Sequence, residues 1–248
     1  MSANATAPAP AQEAPPLLRF AGAPLRVQAL VPRPADDLTG ATLHLQTPDG
    51  DLPLPVLALP EGPQLSTVRL LPTEPLPAGS FAGRLVVGEE AWPAEVVVQA
   101  KPKARAYPSR LELTPATSGK ARESADGDLE LVVDLLNVGN VDLTVGTAYA
   151  VPLEAAGALG RAIAAGVTAE DGGVARWGAA ADAVAASQAG VARIAVRQGT
   201  GPLPPRAAHR VSGVLRLPEG LRPGVPYAGT WQLPGVSVPL VVTLPESR

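Results

Sequence analysis

The sequence predicts an all-β chain of two tandem sandwich modules, the second interrupted by a Gly/Ala-rich insertion. Three observations predict it. Short Val/Leu-rich runs recur between turn signals along most of the chain. The 29 prolines and 25 glycines punctuate those runs, a texture that suits short strands and that long helices tolerate poorly. Part of the first half is also repeated in the second. A length of 248 residues is comfortable for two domains. Apolar residues make up 46% and aromatics only 3%, so the cores must be built from Val, Leu and Ala.

Residues 1–16 are Ala/Pro-rich and of low complexity. They read as a flexible arm, or as one that orders on a neighbouring subunit. Residues 17–100 form the first expected module. Its candidate strands are Leu25–Val31, Ala41–Gln46, Leu54–Leu59, Ser66–Leu71, Gly83–Val87 and Ala94–Gln99. Pro48-Asp49-Gly50-Asp51 supplies a turn. Residues 101–108, with two prolines and three positive charges, read as a stiff, solvated linker. The second module, 109–248, opens with Ser109–Thr114. Leu129–Leu135 alternates cleanly, and Asn137-Val138-Gly139-Asn140 supplies a turn. Between about 154 and 190 the texture becomes Ala-rich with interspersed Gly. Two short helices or a β excursion both fit. Strands resume at Val191–Arg197, Ala207–Leu217, Gly229–Leu233 and Val236–Leu244.

The repeat pairs Val68–Gly83 with Leu215–Gly229. Each runs from an apolar strand through Pro, an acidic residue and Leu. Each then reaches a Gly, an aromatic and an Ala-Gly pair. Leu76 and Leu221 are expected to plug the end of a sandwich where the chain crosses between sheets. Pro93 and Pro239 each lie 10 residues past Gly83 and Gly229. They are expected at strand starts, where no ladder donor is lost.

The stretch Leu221-Arg222-Pro223-Gly224-Val225-Pro226-Tyr227-Ala228-Gly229, placed before two closing strands, resembles the last hairpin of many bacterial immunoglobulin-like modules. Val133–Leu143, with its Asn137-Val138-Gly139-Asn140 turn, resembles a strand and turn of cell-adhesion-related bacterial domains. The first module departs from that pattern, with Pro32-Arg33-Pro34-Ala35-Asp36-Asp37 in the corresponding place. These resemblances cover about half of each module, and their motifs are structural. They imply two tandem immunoglobulin-like sandwiches and say little of function.

Chemistry is sparse. With no cysteine and two histidines, His44 and His209, a His/Cys metal site is nearly excluded by number alone. Asp126-Gly127-Asp128 could give a cation two oxygens, but a plain turn explains it equally well. No Walker loop, dinucleotide fingerprint or nucleophile elbow is present. A net charge of −3 argues against nucleic acid as a partner. The N-terminus lacks the basic and apolar regions of a secretory signal, and no apolar run reaches the roughly 18 residues of a membrane span. Trp92, Trp177 and Trp231 lie in distant segments, which favours core positions.

The expectation is therefore a non-enzymatic structural or adaptor subunit of a bacterial surface, envelope or particle assembly. Its partners would be other protein subunits, a homo-oligomer included, and no cofactor is implied. This rests on fold analogy. One alternative is a carbohydrate-binding module with Trp177 as its platform. Another is an enzyme whose site in the insertion joins Glu170, Asp171 and Arg176. The candidate ligand or partner contacts are Trp177, Arg176 and Asp171.

Overall fold

The computed structural model describes residues 16–114, 128–168 and 173–246, with Ala158 and Leu159 described by their backbone alone. The chain divides between Lys101 and Pro102 into two compact units.

The first unit has seven strands: β1 (Leu18–Ala23), β2 (Arg26–Val31), β3 (Thr42–Thr47), β4 (Gly50–Gly62), β5 (Leu65–Leu70), β6 (Gly79–Val87) and β7 (Glu90–Val98). Period-two alternation sends Val27, Ala29 and Val31 inward from β2, and Val68 and Leu70 inward from β5. They meet Phe20, Leu43, Leu45, Leu85 and Val96 in one core. The strand order is β1-β2-β5-β4-β3-β6-β7. Strand β1 closes the ring by pairing parallel with β7. The long strand β4 changes layers partway, pairing first with β3 and then with β5.

The second unit opens with β8 (Ala104–Tyr107) and β9 (Leu111–Leu113), followed by β10 (Leu129–Asn137), β11 (Leu143–Val145) and β12 (Ala148–Ala155). Two helices follow, α1 (Ala158–Thr168) and α2 (Gly173–Ser187). Then come β13 (Gln188–Gln198), β14 (Gly201–Leu203), β15 (Ala208–Arg216), β16 (Pro226–Leu233) and β17 (Val236–Thr243). The main order is β8-β10-β15-β13-β12-β16-β17-β9, with β11 and β14 paired separately. The second unit thus repeats the first. Its opening strand is split, so that β8 pairs antiparallel with β10 while β9 pairs parallel with β17. Lettered A to G, each unit runs A-B-E-D and then C-F-G. That is the immunoglobulin-like arrangement.

The repeated sequence is the crossover from β5 to β6 and from β15 to β16. Leu76 is buried there and Leu221 half-buried. Tyr227 is buried, and its hydroxyl accepts the Arg222 amide N–H at 2.9 Å, a tyrosine corner. The first unit has Phe81 in this place and so cannot form that bond. Its Leu76 N–H instead donates to the Pro24 carbonyl at 3.1 Å. Asn137 is fully buried at the end of β10. Its side-chain amide donates to the carbonyls of Val141 (2.9 Å) and Leu203 (2.8 Å). Its Oδ1 accepts the Gly139 N–H at 2.9 Å.

Three expectations need correction or a decision. Residues 104–107 are not linker but strand β8. Ala104 and Ala106 face the core while Arg105 and Tyr107 alternate outward, and this alternation outweighs the flanking prolines. Pro93 and Pro239 lie inside β7 and β17, not at their starts. Each sits one residue before the parallel neighbour joins, at Ala94 and Leu240. There the strand is flanked on one side only, so a missing N–H is tolerated. The insertion is helical: the propensity of its alanines outweighs Gly160, Gly166 and Gly178.

Candidate partner-binding face on the helical insertion

Helices α1 and α2 form a hairpin between β12 and β13. The two helices pack on each other. The helices approach closely at Gly166, where a β-carbon would lie 3.2 Å from the Arg176 carbonyl oxygen, a tight contact. The Arg161 guanidinium donates to the carbonyls of Ala156 (2.9 Å) and Ala155 (3.2 Å), fastening α1 to the end of β12. Among the described residues, none from either helix belongs to the sandwich core.

The apolar side chains of the hairpin consequently remain uncovered. Val174 is 89% exposed, Trp177 80%, Val167 71% and Ile163 58%. Ile163, Val167 and Trp177 line a groove of about 960 Å³ together with Ala180, Ala181 and Ala185, and Val174 lies one turn before Trp177 on α2. Among the described residues, Arg176 and Gln188 are its only charged or hydrophilic lining residues. Isolated exposed apolar residues are ordinary, but a contiguous patch on an otherwise soluble surface marks a contact site.

The structure brings Trp177 and Arg176 together at this groove. Asp171 and Glu170 lie outside the described residues. Trp92 and Trp231 are buried, as core positions require, whereas Trp177 is not. Arg33 stacks 4.4 Å over the Trp92 ring and pairs with Glu90 at 2.7 Å. Trp231 meets Tyr149 edge-on, their ring centroids 5.9 Å apart. His44 contacts Asp51 across the β3–β4 hairpin at 3.0 Å. Asp128 is buried and bonded to Arg216 at 3.3 Å, so its role is an ion pair; Asp126 lies outside the described residues. No cluster of three or more His, Cys, Asp or Glu that could hold a metal occurs among the described residues.

No protein-family model matches this sequence, and no curated protein matches it either. Solved structures resemble it at a distance. A protein of unknown function from Porphyromonas gingivalis W83 aligns over 92% of this chain and 96% of its own, at 9% identity and a TM-score of 0.29. Titin domains I67–I69, in an E-to-A variant, align over 95% of this chain and 63% of their own, at 8% identity and a TM-score of 0.31. Domains 4 and 5 of the S-layer protein SbsC align over 69% of this chain and 68% of their own, at 11% identity and a TM-score of 0.26. The immunoglobulin-like assignment stands on the strand order itself, in both units.

Sequence reasoning missed Ile163, Val167 and Val174. Their signal is the spacing. Ile163 and Val167 are four apart, and Val174, Trp177, Ala181 and Val184 recur at intervals of three and four. Each set makes a stripe once the segment is taken as helical. Among the described residues, no helix is long and apolar enough to cross a membrane.

Proposed function

We propose that this protein is a non-enzymatic structural or adaptor subunit that works through protein–protein contacts, in a bacterial surface, envelope or particle assembly. The observation that carries this reading is the apolar face of the α1–α2 hairpin. A sandwich that completes its own core without the hairpin gains nothing from exposing Trp177, Val174 and Val167 to water. Covering them in a complex recovers the hydrophobic free energy of their burial, about 25 cal/mol per Å² of apolar surface. Tryptophan is also enriched among the residues that dominate interface energetics.

The carbohydrate reading is weaker. An exposed tryptophan suits stacking on a sugar, but sugar sites need several polar groups beside the ring. Among the described residues the neighbours are alanine, glycine, valine and isoleucine, with Arg176 and Gln188 alone to bond a hydroxyl.

The test is site-specific photo-crosslinking in the cell that makes the protein. A photoreactive phenylalanine analogue replaces Trp177 in one variant and Tyr107, exposed on β8 of the same unit, in another. A discrete protein adduct from position 177 and none from position 107 is expected. The absence of any protein adduct at 177 would count decisively against the adaptor reading.

A further inference from the structure

We propose that the α1–α2 face is a homodimer interface, in which the Trp177 ring of each copy enters the alanine-floored groove of the other about a two-fold axis. This inference rests on the protein-contact reading above and names the partner. Three features support it. The face carries both a knob and a hole: Trp177 stands 80% exposed beside a groove floored by Ala180, Ala181 and Ala185. A two-fold contact requires one patch to be complementary to itself, and large-beside-small meets that requirement.

The second feature is charge. Charged pairs select a dissimilar partner and steer its approach. Among the described residues the groove lining holds a single charge, Arg176, so selection there falls to shape. The third is area. With Trp177 and three aliphatic side chains each more than half exposed, the face offers on the order of 600 Å² of apolar surface, the upper end for a monomer's largest patch. Complete burial of two such faces removes at most on the order of 1,200 Å², the lower end of what a stable interface needs.

Other occupants fit less well. A helix that lies on a lipid surface carries Lys and Arg on its polar face. In the described helices the cations are Arg161 and Arg176, and Arg161 is already bonded to the backbone of β12. Strand addition at a sheet edge finds little purchase. The first unit closes its ring, and the main sheet of the second ends in strands of four and three residues.

Sedimentation equilibrium of the purified full chain tests the proposal, with Trp177→Asp and, as a control, Tyr107→Asp. Wild type and Y107D are expected to reach twice the monomer mass at micromolar concentration. W177D is expected to weaken the dimer by at least about thirtyfold, as for a central interface tryptophan, with unchanged circular dichroism. Ala181→Trp, which fills the groove while leaving the ring in place, should weaken it likewise. A wild-type chain that stays monomeric overturns the proposal, as does a dimer indifferent to both groove variants. Trp177-dependent binding of a monomer to phosphatidylglycerol vesicles also overturns it, and assigns the face to lipid. A monomer whose position-177 probe still captures a different protein removes the homodimer but leaves the adaptor reading standing. A monomer with no protein adduct removes both.

Discussion

Replacing Asn137 with Ala is expected to destabilise the second unit by about 3–5 kcal/mol, among the largest effects of any single substitution in this chain. The side chain is fully buried and makes three hydrogen bonds, each to backbone. One joins the end of β10 to the Leu203 carbonyl on β14, 66 positions along the chain. Another holds the Val141 carbonyl just before β11, and the third closes the turn through the Gly139 N–H. Truncation removes the Asn137 partner of two carbonyls and one amide, at about 1–3 kcal/mol for each group that water cannot reach. Asn137→Asp should be nearly as harmful, because it keeps the acceptor but replaces the donor with a charge. Urea unfolding followed by circular dichroism reads the effect as a lower midpoint at unchanged slope. A loss below about 1 kcal/mol would mean that solvent reaches this turn.

The second large effect concerns the glycines that anchor the repeat. Gly229→Ala is expected to cost about 2–3 kcal/mol, the cost of forcing an extra carbon into a packed core. A β-carbon at Gly229 would lie 2.7 Å from Val151 Cγ1, 2.9 Å from Leu153 Cδ2 and 2.9 Å from the Pro152 carbonyl oxygen. Two of these are side-chain atoms that could shift. The carbonyl belongs to strand β12 and cannot move without disturbing its pairing with β13. Gly83 meets the same obstacle in the first unit, where a β-carbon would approach the His44 carbonyl oxygen to 2.8 Å. His44 lies on β3, the counterpart of β12. The repeated glycine is therefore a point of close approach between two strands in both units. Gly83→Ala should destabilise the first unit in the same way. Gly178→Ala is the contrasting case: it stands in helix α2 with open space around it, and should be neutral or stabilising by up to about 1 kcal/mol. The three midpoints from urea melts decide the matter; a Gly229→Ala protein as stable as Gly178→Ala would contradict the packing described for β12 and β16.

The strands were most legible where one face is core and the other solvent. Leu129–Asn137 alternates buried and exposed at every position; Glu130 and Asp134 mark the outer face in the sequence, while exposed Val132 and Leu136 and buried Asn137 do not follow the pattern. The crossover repeat was legible because Leu76 and Leu221, Gly83 and Gly229, and Phe81 and Tyr227 hold corresponding places in the two units, although Leu76 and Tyr227 are buried while Leu221 and Phe81 are half-buried. Other features depend on long-range partners that local pattern does not encode. Strand β8 is four residues between prolines and becomes a strand only because β10 lies beside it. Pro93 and Pro239 are tolerated within strands because of where β1 and β9 begin to pair.

The candidate site was legible in part. Trp177 and Arg176 were singled out and do line one groove, while Asp171 lies outside the described residues. The solvent exposure of Trp177 was not legible. It follows from α1 packing on α2 while the sandwich fills its core from its own strands, and tryptophan spacing alone cannot reveal that.

On this reading the hairpin serves contact with a partner and not the fold of its own domain. Deletion tests this most directly. A variant in which a short Gly/Ser turn replaces residues 156–187 joins Ala155 of β12 straight to Gln188 of β13. Glu154 already pairs with Gln188 across these strands, so a hairpin can close there. The deletion variant is expected to keep the β-sheet circular dichroism and urea midpoint of the intact chain and no longer to associate in sedimentation equilibrium. A variant that unfolds, or one that folds and still associates as the intact chain does, would contradict it.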